Sequence, residues 1–137
     1  MDWNKFKEIF KDSVLVNDKI LIKTSIRDVL NFIKENYSYD ILKEIIAIHL
    51  DGNNFELIYH LCSVTDEEDL LISIISDCKA ESVADIFASA LADENEIYDL
   101  FGINFSGNKN QKRLYMPEDW VGHPLRKDYP EKKEFEE

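Results

Sequence analysis

All three prolines (Pro117, Pro124, Pro130) and three of the four glycines (Gly102, Gly107, Gly122) fall between residues 102 and 130 of a 137-residue chain. Proline removes a backbone donor and glycine favours turns, so this stretch cannot hold long helices or central strands. The regular elements must come from the first hundred residues. The chain therefore divides into an α+β body, residues 1–106, and an extended docking tail, residues 107–137. The last residues, Glu131 to Glu137, are nearly all charged and are expected to fray.

Within the body, hydrophobic spacing predicts the elements. Trp3 to Phe10 reads as a short amphipathic helix with Phe6, Ile9 and Phe10 on one side. Val14-Leu15-Val16 and Ile20-Leu21-Ile22 flank Asn17-Asp18, which makes either a tight hairpin or one interrupted strand. Ser25-Ile26-Arg27-Asp28 is a capping box that opens a helix through Tyr37. Leu42 to Leu50 is β-branched and ends at the turn Asp51-Gly52-Asn53-Asn54. Phe55 to Val64 alternates, with Phe55, Leu57, Tyr59 and Leu61 on one face, and Leu70 to Ile75 follows an acidic loop. Ser82-Val83-Ala84-Asp85 reads as a second capping box, opening a long helix that carries Val83, Ile86, Phe87, Ala90, Leu91, Ile97, Tyr98 and Phe101 and stops at Gly102. The expected fold is α+β: a mostly antiparallel sheet of four to five strands, helices packed on one face, and an extended C-terminal tail.

Charge narrows the function. The net charge is −12, with 16 bases against 28 acids. Such a surface excludes non-specific nucleic-acid binding and docking to an anionic leaflet. Between Gly107 and Tyr129, however, there are five bases and three acids, and two of the three arginines lie there. That basic stretch suits either the acidic body or another subunit. No apolar run approaches a membrane span, and the start Met1-Asp2-Trp3-Asn4-Lys5 has no signal-peptide pattern. Cys62 and Cys78 form no CxxC, and a reducing, cytoplasmic setting is expected.

Few residues are placed for chemistry. His49, His60 and His123 lack the spacing of zinc ligands, and no nucleophile elbow, Walker loop or dinucleotide fingerprint is present. Glu94 is the exception, because on a continuous helix it falls within the apolar stripe of Val83. A buried carboxylate needs a cation or several donors. Arg113 or Arg126 is the expected partner, with Glu96 and Asp99 on a different face. Glu94 can be read as a structural ion pair, as an exposed residue, or as a general acid of a small enzyme with Asp99 or Asp128 as its partner. In the tail, Trp120, Pro124, Leu125, Arg126, Tyr129 and Pro130 fall within eleven residues, a concentration typical of interface anchors.

The run Glu94-Asn95-Glu96-Ile97-Tyr98-Asp99-Leu100-Phe101-Gly102, then Arg113-Leu114, then Asp119-Trp120-Val121-Gly122-His123-Pro124-Leu125-Arg126-Lys127-Asp128-Tyr129-Pro130, resembles the thirty-kilodalton subunit of respiratory complex I, the NADH-quinone oxidoreductase. It is also similar to the related small subunit of membrane-bound, energy-converting nickel-iron hydrogenases. The likeness runs from about residue 26 to 130. The chain differs where the family usually has Glu-Arg-Glu (here Glu94-Asn95-Glu96), an aromatic (Ala92) and Gly-His-Pro (Gly107-Asn108-Lys109). The resemblance implies a non-catalytic peripheral-arm subunit on the cytoplasmic side, touching the membrane only through its complex. It implies no flavin, iron-sulfur cluster or quinone on this chain, with iron-sulfur clusters and a flavin or nickel-iron site in partner subunits. Its partners would be the large catalytic subunit and cluster-bearing neighbours. Glu94, Glu96, Asp99, Arg113, Arg126, Lys127 and Asp128 match the family's charged positions and are carried over as structural and interface residues, together with Trp120, Pro124 and Tyr129. A free regulatory interaction domain of the same fold is the alternative.

Overall fold

The computed structural model describes residues 3–128. Tyr129, Pro130 and the charged run 131–137 lie outside the described residues. Helix α1 (Trp3–Ile9) leads into β1 (Val14–Val16) and β2 (Lys19–Ile22). Asn17 and Asp18 both take positive φ, 50° and 64°, so the two strands form a tight hairpin rather than one broken strand. Asn and Asp are the side chains that tolerate this conformation most readily.

Helix α2 (Ile26–Asn36) starts where Ser25 Oγ accepts the Asp28 N–H at 3.4 Å. The strands β3 (Ile41–Asp51), β4 (Asn54–Ser63) and β5 (Glu68–Ser76) follow as a meander. The sheet order is β1-β2-β5-β4-β3, and only β2–β5 is parallel. The fold is thus α+β with a mostly antiparallel five-stranded sheet. Phe55, Leu57, Tyr59 and Leu61 of β4 are each 0% exposed. They share one core with Phe6 of α1 and with Val29, Leu30 and Ile33 of α2.

Two features depart from the sequence pattern. First, the long helix from Ser82 is broken. Residues 83–89 form turns, and the helix α3 runs only Ala90–Phe101. At ~1.5 Å rise per residue, a continuous helix would hold residues 83 and 94 about 16 Å apart along the axis. The break instead brings the Val83 N–H to Glu94 Oε2 at 2.8 Å. Second, β6 (Lys79–Glu81) and β7 (Asn104–Ser106) form a small parallel ladder that three-residue runs do not announce. Gln111 closes its free edge, Oε1 accepting the Phe105 N–H at 2.8 Å.

Gly102 ends α3 in the left-handed region, φ +78°, and its N–H donates to the Tyr98 carbonyl. A Cβ there would sit 2.6 Å from His123 Cδ2. Gly102→Ala is therefore expected to cost roughly 1–3 kcal/mol, the left-handed strain plus displacement of His123. Gly107→Ala, also at positive φ but with only the Ser82 Cβ nearby at 4.0 Å, should cost less. Thermal unfolding of the two variants compares them directly; equal losses would show that His123 yields freely.

Candidate functional site

Asp99 lies on the face of α3 that the tail covers, and it is 0% exposed. Its Oδ1 accepts Arg113 Nε at 2.6 Å, and its Oδ2 accepts three successive backbone N–H groups, from Leu114 (3.1 Å), Tyr115 (2.6 Å) and Met116 (3.0 Å). Arg113 spends its other donors on backbone carbonyls of Trp120 (2.5 Å), Gly122 (2.7 Å) and Asp99 itself (3.1 Å). One carboxylate and one guanidinium thus fix residues 113–122 in a closed loop against the helix. Burial pushes the Asp99 carboxyl up, but Arg113 and the backbone donors outweigh it and hold it below its ordinary value. His123 adds a ring contact, Nδ1 to the Asp99 carbonyl at 2.9 Å.

Glu94 is also 0% exposed, on a different side of α3. No arginine meets it. Oε1 accepts Ser82 Oγ (2.7 Å) and Asn108 Nδ2 (3.1 Å), and Oε2 accepts the Val83 N–H (2.8 Å). The expected Arg113 or Arg126 pairing is thus replaced by three neutral donors, and Arg113 goes to Asp99. The physical reason is that the tail covers a second face of α3, so the acid facing it needs the cation more. Burial raises the Glu94 carboxyl above its ordinary value, only partly offset by Ser82, Val83 and Asn108, and the Asp85 charge adds to the rise. Arg27 locks the adjacent turn with a two-pronged bond to Asp85 (2.6 and 2.8 Å) and a bond to the Ser82 carbonyl.

The far end of the tail is tied to the β3–β4 turn. Arg126 grips Asp128 through two bonds (2.8 and 2.9 Å), donates to the Gly52 carbonyl and Asn53 Oδ1 (both 3.1 Å), and lies 5.3 Å over the Phe55 ring. Asp128 raises the Arg126 guanidinium further, and that guanidinium lowers the Asp128 carboxyl. The Lys127 N–H donates to His49 Nδ1 (2.8 Å), while His49 Nε2 meets the Gly52 carbonyl (2.7 Å). The Leu125 N–H donates to the Leu100 carbonyl. Trp120 and Pro124 are half-buried, Lys127 and Asp128 exposed, and Glu96 half-buried with no hydrogen-bond partner among the described residues.

Asn95, Asn108, Gln111 and His49 also anchor the tail, and nothing in the sequence singles them out for that role. Asn95 Oδ1, buried, accepts the Lys112 N–H at 3.3 Å. Neutral amides carry no charge or period that would mark them. Both Glu94 oxygens are occupied by donors and the residue is 0% exposed, so in this fold its carboxyl is closed to solvent. A groove of about 690 Å³ is lined by residues such as Ile22, Ser25, Ile74, Phe105 and Gln111, with neither Glu94 nor Asp99 among them. The arrangement ties the tail to the body, with both carboxylates accepting hydrogen bonds from it or from the turn before α3.

Residues 20–135 match the family described as respiratory-chain NADH dehydrogenase, 30 Kd subunit. The chain is 36% identical over 113 residues to an NADH-quinone oxidoreductase subunit of Citrifermentans bemidjiense, covering 79% of this chain and 70% of that protein. It is 32% identical over 139 residues to the same subunit of the Geobacter sulfurreducens enzyme, covering 92% and 86%. In fold it is similar to a chain of the membrane-bound sulfane sulfur reductase, an archaeal respiratory membrane complex. That superposition has a TM-score of 0.78 at 22% identity, over 97% of this chain and 88% of that one. The family match begins within β2 and takes in β3 to β7, both buried carboxylates and the tail as far as residue 135, and on it this chain belongs to the 30 Kd subunit family of the respiratory-chain NADH dehydrogenase.

Proposed function

We propose that this chain is a non-catalytic subunit in the peripheral arm of a complex-I-like membrane-bound oxidoreductase, either an NADH:quinone oxidoreductase or an energy-converting hydrogenase. On this reading residues 107–137 are a docking tail. Its partners are the large catalytic subunit and the cluster-bearing subunits, which hold the iron-sulfur clusters and the flavin or nickel-iron site. The assembly lies on the cytoplasmic face of the membrane. Among the described residues no helix is long and apolar enough to cross a membrane. The chain's contribution to electron transfer and ion translocation is to hold those subunits in place.

The observation that carries the reading is the pre-folded tail. Ordering a free segment costs ~1–2 kcal/mol per residue, and the Asp99–Arg113 clamp meets that cost before any partner arrives. The clamp leaves Leu114, Tyr115, Val121 and Leu125 exposed, Val121 by 89%. Apolar side chains held outward on a rigid loop suit a protein interface. Trp120, Pro124, Arg126, Lys127 and Asp128 shape that loop, and Glu96 and Tyr129 are assigned to the same interface.

Val121→Asp tests this. A side chain so exposed contributes little to folding, so the isolated chain should keep its stability within about 0.5 kcal/mol. Recovery of the tagged chain with cluster-containing subunits from the native host should fall sharply. Recovery of the unaltered chain only as a free monomer would overturn the proposal.

A further inference from the structure

The five-stranded sheet has two apolar faces, and this chain fully covers only one of them. β3 contains Ile45-Ile46-Ala47-Ile48, β2 contains Ile20-Leu21-Ile22, and β5 contains Leu70-Leu71-Ile72 and Ile74-Ile75. Unbroken apolar runs of this kind belong to strands buried on both faces, whereas a sheet with one wet face alternates apolar and polar residues. The core contributions of α1, α2 and α3 all meet the face of Ile20, Ile72, Tyr59 and Ile45. On the opposite face the register lines up Val14, Leu21, Ser73, Ile58 and Ile46 across all five strands. At the centre of this row Ile58 and Ser73 are buried, 8% and 1% exposed, while Val14 and Ile46 at its two ends are exposed. On this face Ile46, Ile48 and Leu50 of β3 and Ile75 of β5 are 38–52% exposed, and Val14 lies apart from them on β1.

The polar groups of this face indicate what covers it. At its centre, Glu56 Oε2 accepts Lys19 Nζ at 2.7 Å and Ser73 Oγ at 2.6 Å, so these groups satisfy one another and tolerate being covered. Toward one end, Glu44 and Asp69 flank His60 at 3.7 and 3.2 Å, and both acids are more than half exposed. That end is acidic and calls for cations. A second copy of the chain brings another net −12 and is electrostatically disfavoured. An anionic lipid surface fails on the same charge. A sheet face of this composition is ordinarily closed by a helical layer.

We propose that the β3–β4–β5 part of this second face is a further protein-docking surface, covered in the assembly by an amphipathic helix of another subunit. Its apolar stripe lies over Ile46, Ile48 and Ile75, and its Lys or Arg side chains reach Glu44 and Asp69. This rests on the reading of the chain as a subunit, but it concerns a different surface from the tail.

Photo-crosslinking in the purified complex tests it, with the crosslinking amino acid placed at position 48, at position 75 or, for reference, at position 121. Positions 48 and 75 are expected to capture one and the same partner segment, helical in its apolar spacing and bearing Lys or Arg. Glu44→Lys combined with Asp69→Lys should lower recovery of the complex about tenfold while the isolated chain melts unchanged. Crosslinks from 121 without any from 48 and 75 overturn this inference and leave the tail reading standing. Silence at all three positions overturns both. Capture of a second copy of this chain, or of lipid, overturns the choice of occupant.

Discussion

Replacing Asp99 with Ala is expected to lower stability by about 3–5 kcal/mol and to free the tail from α3, because it strands a buried cation. The Arg113 side chain is 6% exposed, and Asp99 is its only carboxylate partner among the described residues. The same truncation orphans the N–H groups of Leu114, Tyr115 and Met116. Unpaired buried donors add to the loss. Asp99→Asn keeps the shape and one acceptor oxygen but gives up the charge, and its amide hydrogens would face N–H groups; it should fall between wild type and Asp99→Ala. Chemical denaturation measures the stability. Limited proteolysis between residues 107 and 128 reads the release of the tail, and a resistant tail in a destabilised Asp99→Ala chain would show that Arg126 and His49 hold it alone. The pH dependence has a defined sign. The Asp99 carboxyl is lower in the folded chain than its ordinary value of 3.8. Its contribution is therefore complete above that value and is lost as pH falls through the lower folded value.

The strands of the five-stranded sheet are legible in the sequence as apolar or alternating runs between turn residues. Phe55, Leu57, Tyr59 and Leu61 alternate, and Asn17-Asp18 and Gly52-Asn53 have the backbone tolerance that tight hairpins need. The break before α3 is not legible. Val83, Ile86 and Phe87 face the same core from a turn as they would from a helix, so apolar spacing cannot separate the two. Glu94 is buried as its spacing predicts, yet the continuous helix behind that prediction does not exist. Its donors are a hydroxyl, a backbone N–H and an amide brought together from residues 82, 83 and 108. Helical phase puts Asp99 away from the apolar stripe, because its position on α3 is ~140° from Glu94. Phase alone fails wherever a tail covers a helix on a second side. Arg113 is the cation of a clamp, as its place in the tail suggests, but it is matched to the other acid.

Glu94 carries a prediction opposite in sign to that for Asp99. Glu94→Ala is expected to cost about 2–4 kcal/mol, since the Ser82 hydroxyl, the Val83 N–H and the Asn108 amide are left facing a void. Glu94→Gln separates charge from shape. It keeps one oxygen for Ser82 and Asn108, but turns an NH₂ toward the Val83 N–H, so it should be less stable than wild type at low pH. The wild-type carboxyl, raised by burial above its ordinary 4.5, holds its proton in the folded chain at pH values where the unfolded chain has lost it. Its contribution is complete below 4.5 and fades as pH rises through the raised folded value. Glutamine does not titrate. The stability gap between the two proteins should therefore narrow, or reverse, as pH climbs from 4.5 toward neutrality. Denaturation of both chains across that window checks the claim, with Glu96→Ala as a control that should stay within about 0.5 kcal/mol of wild type. Parallel curves for wild type and Glu94→Gln would mean that the three donors fully offset the cost of burial, and that Glu94 enters the fold as an ordinary ionised acid.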